Sequence, residues 1–284
     1  MGREIDESRK KIICSNYSIE ITKKKMMKKL YLLALLMCCQ IMLAQTNDYK
    51  ITYKHFEGNL KKDAVLYVKE NQPTVMQTIM ASTVPIKVIK DTTYINENGA
   101  TVWKGGSGST DYSKFRDEYI KVDHVTNKIE MIKDIRKKIF LVTDEINYSW
   151  QITNKTKQIQ NFTCYKATTI FRGNTFEAWF TPEIPINAGP WKWYGLPGLI
   201  LEATDKDQSV VFKLEKIEKL TEEIPFPSSN SKKMTLQAYF AMAKEAFDAF
   251  EASQNDRNIK VTTTVLGRFG LERVYEWEEE AKNK

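Results

Sequence analysis

Apolar and polar side chains alternate with a period of two through most of the chain after Tyr49. Tyr49-Lys50-Ile51-Thr52-Tyr53-Lys54-His55-Phe56 is one such run. Ala64–Lys69 and Thr74–Ile79 are separated by Asn71-Gln72-Pro73, which predicts a hairpin. Thr92–Ile95 and Ala100–Trp103 flank Asn98-Gly99, a pair suited to a tight turn between antiparallel strands. Strands are also predicted over Glu118–Asp123, Lys128–Asp134, Lys138–Val142 and Tyr148–Ile152, then a turn-rich Thr153–Thr156 and a strand from Ile159. The clearest hairpin joins Phe162–Phe171 to Thr175–Thr181 through a three-residue turn, Arg172-Gly173-Asn174. Its second strand sends Phe176, Ala178 and Phe180 to one face and Glu177 and Trp179 to the other.

No helical pattern long enough for a parallel crossover lies between these strands. The predicted fold is therefore mainly β, a single antiparallel curved sheet or half-barrel. One C-terminal amphipathic helix is predicted from Thr235 to about Ala252, where Leu236, Tyr239, Phe240, Ala243, Phe247 and Phe250 recur at helical spacing. This stripe is expected to pack across the sheet. Its polar face mixes Lys244 with Glu245, Asp248 and Glu251, unlike a membrane-surface helix. Glu276, Glu278, Glu279 and Glu280 read as a solvated end.

The alternation breaks between Thr181 and Leu199, where four prolines and three glycines fix a long loop. Leu196-Pro197-Gly198-Leu199 fits a type II turn, with proline presetting φ and glycine taking a positive φ. A strand from Leu199 to Thr204, a turn over Asp205–Gln208 and a strand from Ser209 to Leu214 follow. Trp191 and Trp193 share parity around Lys192. With Trp179 and Tyr194 they make this loop the candidate binding surface, suited to stacking on a sugar, a lipid or a protein partner. The alternative is that these rings fold back and plug one end of the core.

Upstream, Lys24-Lys25-Met26-Met27-Lys28-Lys29 leads into an apolar run from Leu30, with small Ala44 before a cleavage point. At about 16 residues, the segment is short for a membrane span, which needs roughly 20. It reads as a signal peptide cut after Ala44. Residues 1–44 are then a removable N-terminal extension and 45–284 one β domain, exported to the periplasm or outer envelope without a stable membrane span. Residues 1–25 hold nothing a signal peptide requires, so Met26 or Met27 would serve as the start as well as Met1. Cys38 and Cys39 lack the preceding small residue that lipid attachment calls for.

The chain has 43 Lys and Arg against 36 Asp and Glu. Residues 1–44 carry nine of the basic and four of the acidic groups, so the formal charge falls from +7 to +2 once they are removed. That balance gives no electrostatic case for nucleic acid. Cys14, Cys38 and Cys39 leave with the same segment, so Cys164 remains as a single free thiol with no disulfide partner. His55 and His124 stand apart, and neither a metal site nor a cofactor is expected. Cys164 and His124 would form a nucleophile and base only if the fold joined them. Gly105–Ser109 lacks the Lys-Ser/Thr of a phosphate loop. Three glycosylation sequons at Asn147, Asn154 and Asn161 cluster on predicted strands and are discounted.

One stretch resembles a known family. Gly195-Leu196-Pro197-Gly198-Leu199-Ile200, preceded by Gly189-Pro190 and by Ala178-Trp179-Phe180-Thr181, is similar to the signature of the GLPGLI family of exported bacterial proteins, found mainly in the Bacteroidetes. Trp150-Gln151-Ile152, Ile159 and Cys164-Tyr165-Lys166-Ala167 stand upstream in that family's order. The likeness spans about residues 138–217, and the C-terminus from Gly270 departs from it. It implies export and fold rather than chemistry, since no catalytic residue defines that family. The expectation is a non-enzymatic envelope protein that binds an apolar ligand or a periplasmic or outer-membrane partner. The alternative is an envelope hydrolase or a thiol enzyme that uses Cys164 within a scattered site.

Overall fold

The computed structural model describes residues 23–30, 48–85, 92–95, 97, 101–104, 114–227, 231–255 and 271–282. The chain divides into two units, Met1–Asn47 and Asp48–Lys284. In the first, residues 23–30 form an exposed helical segment. The apolar run, Cys14, Cys38, Cys39, the cleavage point after Ala44 and the Gly105–Ser109 loop lie outside the described residues. Among the described residues, no helix is long and apolar enough to cross a membrane.

The second unit is built on one large mixed sheet that does not close into a barrel. Its strands are β1 (Tyr49–Glu57), β2 (Leu60–Val68), β3 (Thr74–Pro85), β6 (Glu118–Asp123), β7 (Lys128–Ile135), β8 (Lys138–Glu145), β9 (Gln151–Ile159), β10 (Phe162–Phe171), β11 (Asn174–Thr181), β12 (Leu199–Asp205), β13 (Val210–Lys219) and β14 (Lys232–Thr235). They lie in the order β14-β8-β7-β6-β3-β2-β1-β13-β12-β11-β10-β9. β4 (Thr92–Ile95) and β5 (Thr101–Lys104) pair antiparallel in a separate two-stranded sheet, and the predicted Asn98-Gly99 turn lies outside the described residues.

Two expectations are corrected. The sheet is not wholly antiparallel, because β14 runs parallel to β8. The stretch Thr153–Thr156 is not a turn but the middle of β9, an edge strand whose polar, largely exposed side chains hide its pairing with β10. Lysines 155 and 157 on this edge also discourage pairing with another chain.

Alternation decides which face is covered. Ile51, Tyr53, Leu66, Met76, Phe176, Ala178 and Phe212 pack on one face with Trp193, Leu196, Leu199 and Ile200 from the long loop and β12. The Tyr53 hydroxyl donates to the Ile200 carbonyl at 2.7 Å. Toward the other end of the sheet, Ile129, Met131, Phe140 and Val142 form a second cluster with Leu236 and Tyr275. The opposite face keeps only a small group, Val65, Tyr67, Val75 and Leu220.

Helix α1 (Leu236–Asn255) starts at Thr235, whose hydroxyl accepts from the Ala238 N–H at 3.2 Å. Leu236 is buried, and Tyr239 and Phe240 are half-buried against the second cluster. Phe247 and Phe250 are 41% and 56% exposed, so the apolar stripe is covered mainly along its first half. A short helix α2 (Glu276–Lys282) follows residues 271–275, which return to the sheet.

Candidate functional site

The geometry that stands out is a buried cluster of charge where β8, the β10–β11 turn, the long loop and the C-terminal segment meet. The alternation of β8 places Asp144 on the same parity as Phe140 and Val142, so a carboxylate points into the covered face. The turn between β10 and β11 has two residues rather than the expected three, Arg172 and Gly173, with φ of 44° and 72°. Both positive angles match the mirror-image turn that the twist of a hairpin favours. The turn delivers the Arg172 guanidinium to Asp144, with hydrogen bonds of 2.7 and 2.8 Å in a two-pronged pair.

The C-terminal segment closes the cluster. The backbone N–H groups of Arg273 and Val274 donate to the Arg172 carbonyl at 2.9 and 3.0 Å. This brings Glu272 onto the guanidinium and Glu276 to its Nε at 3.0 Å. Lys192 from the long loop is buried too, and its ammonium donates to Asp144 at 3.1 Å and to both Glu272 oxygens at 3.0 Å. The guanidinium carbon lies over the Phe171 and Tyr275 rings, 4.8 and 4.9 Å from their centroids. Two cations thus face three carboxylates.

Burial alone would raise the Asp144 pKa, but the hydrogen bonds from Arg172 and the charges of Lys192 and Arg172 outweigh it and hold the carboxyl below its ordinary range. Burial opposes the charge on Arg172, yet Asp144 and Glu272 more than offset it, so the guanidinium stays protonated.

Beside the cluster opens a cleft of about 560 Å³, lined by Thr126, Lys128, Asp144, Glu145, Arg172 and Glu276, with Trp277 on its wall. The Trp277 ring stacks on Tyr275 at 4.5 Å and an interplanar angle of 7°. An aromatic plate beside carboxylates and a cation can take the apolar face of a sugar ring and its hydroxyls together. Among the described residues no group of His, Cys, Asp and Glu side chains is arranged to hold a metal ion.

The sequence-predicted residues lie elsewhere. Trp193 is 1% exposed and packs edge-on against Phe176 and Phe212 at 5.3 and 5.6 Å. Tyr194 is buried and donates to the Ile146 carbonyl. Trp191 and Trp179 are half-buried, Trp179 beneath the Lys157 ammonium at 4.4 Å. The Trp191 and Trp193 rings meet edge-on at 5.1 Å and both lie against Phe176, so they pack together on the core instead of projecting from an extended loop, and Trp191 itself has a φ of 56°.

In the proline-rich motif, Pro190, Leu196, Leu199 and Ile200 are buried, and Gly189 lies against Ile200. Pro197 is exposed, and the Gly198 N–H donates to the Leu196 carbonyl at 2.8 Å. That bond spans two residues, so the expected type II turn is replaced by a tighter one. Cys164 is fully buried, and burial pushes its thiol up to about 11, which keeps thiolate scarce at neutral pH. His124 meets Thr74 at 3.1 Å and Tyr194, whereas the contact of the Cys164 sulfur is the Phe162 carbonyl at 3.6 Å.

Sequence reasoning missed Asp144, Arg172, Glu272 and Glu276. It ended β8 at Val142, read Arg172 as a turn residue and took the C-terminal glutamates for a solvated end. A carboxylate on the apolar parity of β8 was the available signal.

Comparison with known proteins places the chain. The family described as "N-glycanase peptide, N-terminal domain" matches residues 61–240. The chain belongs to that family. The match overturns the resemblance to the GLPGLI family, and with it the non-enzymatic reading that rested on it. Two solved structures titled PNGF-II, in different crystal forms, are 18% and 17% identical and cover 72% and 71% of this chain, each with a TM-score of 0.48. The shares of those chains that are covered are 34% and 33%, so this chain spans about a third of their length. No curated protein matches it.

Proposed function

We propose that this chain acts in the hydrolytic release of N-linked glycans, with a glycopeptide lying in the cleft beside Arg172. The observation that carries the reading is membership of an N-glycanase domain family, joined to a cleft whose wall pairs an aromatic plate with carboxylates. The sugar stacks on Trp277. Glu276, 56% exposed at its side chain and hydrogen-bonded to Arg172, takes a proton from the water whose oxygen adds to the side-chain amide carbon of the glycosylated asparagine, and returns that proton to the nitrogen that leaves as the C–N bond breaks. Arg172, pinned by Asp144 and Glu272, supplies fixed positive charge where negative charge develops. The same reading keeps the chain an exported one, with residues 1–44 removed after Ala44, where glycoproteins are within reach.

The test is glycan release from an N-glycopeptide by the full chain, followed by mass spectrometry. Glu276→Gln should slow release by about a hundredfold, the ordinary worth of a positioned acid or base. Release at the parent rate by this variant, or none by the parent chain, would sink the proposal.

A further inference from the structure

Residues 271–277 form a strap laid onto the sheet from outside the matched domain. The family match ends at residue 240, so Asp144, Arg172 and Lys192 lie within that domain and Glu272, Tyr275, Glu276 and Trp277 do not. The strap's hold is mainly polar. Of residues 271–277 only Tyr275 is buried, at 3% exposure, and the others are half-buried or exposed. A segment with so little buried apolar surface opens locally at a free energy below that of the whole fold.

What the strap covers is built as a peptide groove is built. Arg172 and Lys192 are 3% and 2% exposed at their side chains, and of their carboxylate partners among the described residues only Asp144 belongs to the sheet. Glu272 and Glu276 of the strap match the surplus positive charge. The main chain is held as well, because the Arg273 and Val274 N–H groups both donate to the Arg172 carbonyl. Gly173 makes room beneath Val274, whose Cγ2 lies 2.9 Å from where a Cβ would stand. Tyr275 is the anchor, its ring 4.8 Å from that of Phe240 on α1. At the other end Arg273 pairs with Asp207 at 2.9 Å. Main-chain hydrogen bonds for affinity, with a buried aromatic and paired charges for specificity, are how a groove recognises an extended peptide.

We propose that the strap is displaceable and that its groove docks an acidic segment of a partner polypeptide, one carrying the pattern Glu-x-x-Tyr-Glu. Docking of that segment lifts Glu276 and Trp277 out of the cleft and switches it off. This consequence rests on the glycan reading of the cleft. The exchange of one segment for the other does not, and its test reads no hydrolysis.

The probe is a synthetic peptide of residues 270–280, made with heavy-isotope residues and a terminal fluorophore, added to the full chain. Its anisotropy should rise in a saturable way. In excess it should also speed amide exchange at residues 271–277 of the chain, because an expelled strap loses its bonds to Arg172. Tyr275→Ala in the chain weakens the resident strap and leaves Asp144, Arg172 and Lys192 in place, so the open fraction grows and the apparent affinity for the peptide should rise at least tenfold. A peptide carrying Glu272→Gln and Glu276→Gln should bind at least tenfold more weakly, since each loses a charged hydrogen bond. Four results would overturn the proposal: no anisotropy rise with either chain, equal affinity in the parent and Tyr275→Ala, strap exchange unchanged at saturating peptide, or equally tight binding of the neutral peptide. The last two need no variant of the chain, so they decide the matter even if Tyr275→Ala fails to fold.

Discussion

Arg172→Ala should lower the unfolding free energy by about 3–5 kcal/mol, the range expected when one partner of a buried ion cluster is deleted and the rest stay behind. The change would strip Asp144 of both its strong hydrogen bonds and leave Glu272 and Glu276 without their guanidinium. Lys192 alone would face three carboxylates. Arg172→Lys keeps the charge but loses the two-pronged geometry, so its loss should be smaller.

The effect carries a pH signature. The folded state holds the Asp144 carboxyl below its unfolded value, so its contribution is fully present above that value, about 3.9, and is lost as pH falls through the folded one. Urea unfolding at neutral pH and at about pH 3 should show a steep acid loss in the parent chain and a shallower one in Arg172→Ala. Equal slopes would mean that Arg172 does not set the Asp144 titration.

Gly198→Ala should be at least as damaging, with a loss above about 4 kcal/mol or no folded protein at all. A Cβ at this position would overlap the Thr181 carbonyl oxygen and stand 2.6 Å from the Thr181 carbonyl carbon and 3.0 Å from the Pro182 Cα. All three are backbone atoms, and β11 ends there, so nothing yields cheaply. Gly195→Ala provides the contrast. Its φ of +95° is strained for alanine, but the nearest atom to a new Cβ is Trp150 Cδ1 at 3.4 Å. About 1–3 kcal/mol is expected there. Thermal unfolding of the two variants decides the point, and a Gly198→Ala protein as stable as Gly195→Ala would contradict the packing described.

Most strands were legible because one face of the sheet is covered and the other is largely polar, which writes a period of two into the sequence. β9 was the failure of that logic. An edge strand with exposed Lys155 and Lys157 has little buried face to betray it. The site was legible in one place, where Asp144 continues the parity of Phe140 and Val142. Its partners were not, since Arg172 reaches Asp144 across 28 residues and Glu276 across 104, and no local pattern encodes such a meeting. The tryptophans misled for a related reason. A rigid proline-rich loop displays rings or buries them equally well, and here the Trp191 and Trp193 rings pack together against Phe176.

The central claim is that glycopeptide occupies the cleft beside Arg172. Amide hydrogen exchange of the full chain, with and without an N-glycopeptide, tests it most directly. Bound glycopeptide should slow exchange at residues 126–128, 143–145, 235–237 and 271–277, the segments that line the cleft and close the ion cluster. Unchanged exchange across these segments, or slowing confined to another part of the sheet, would contradict the account.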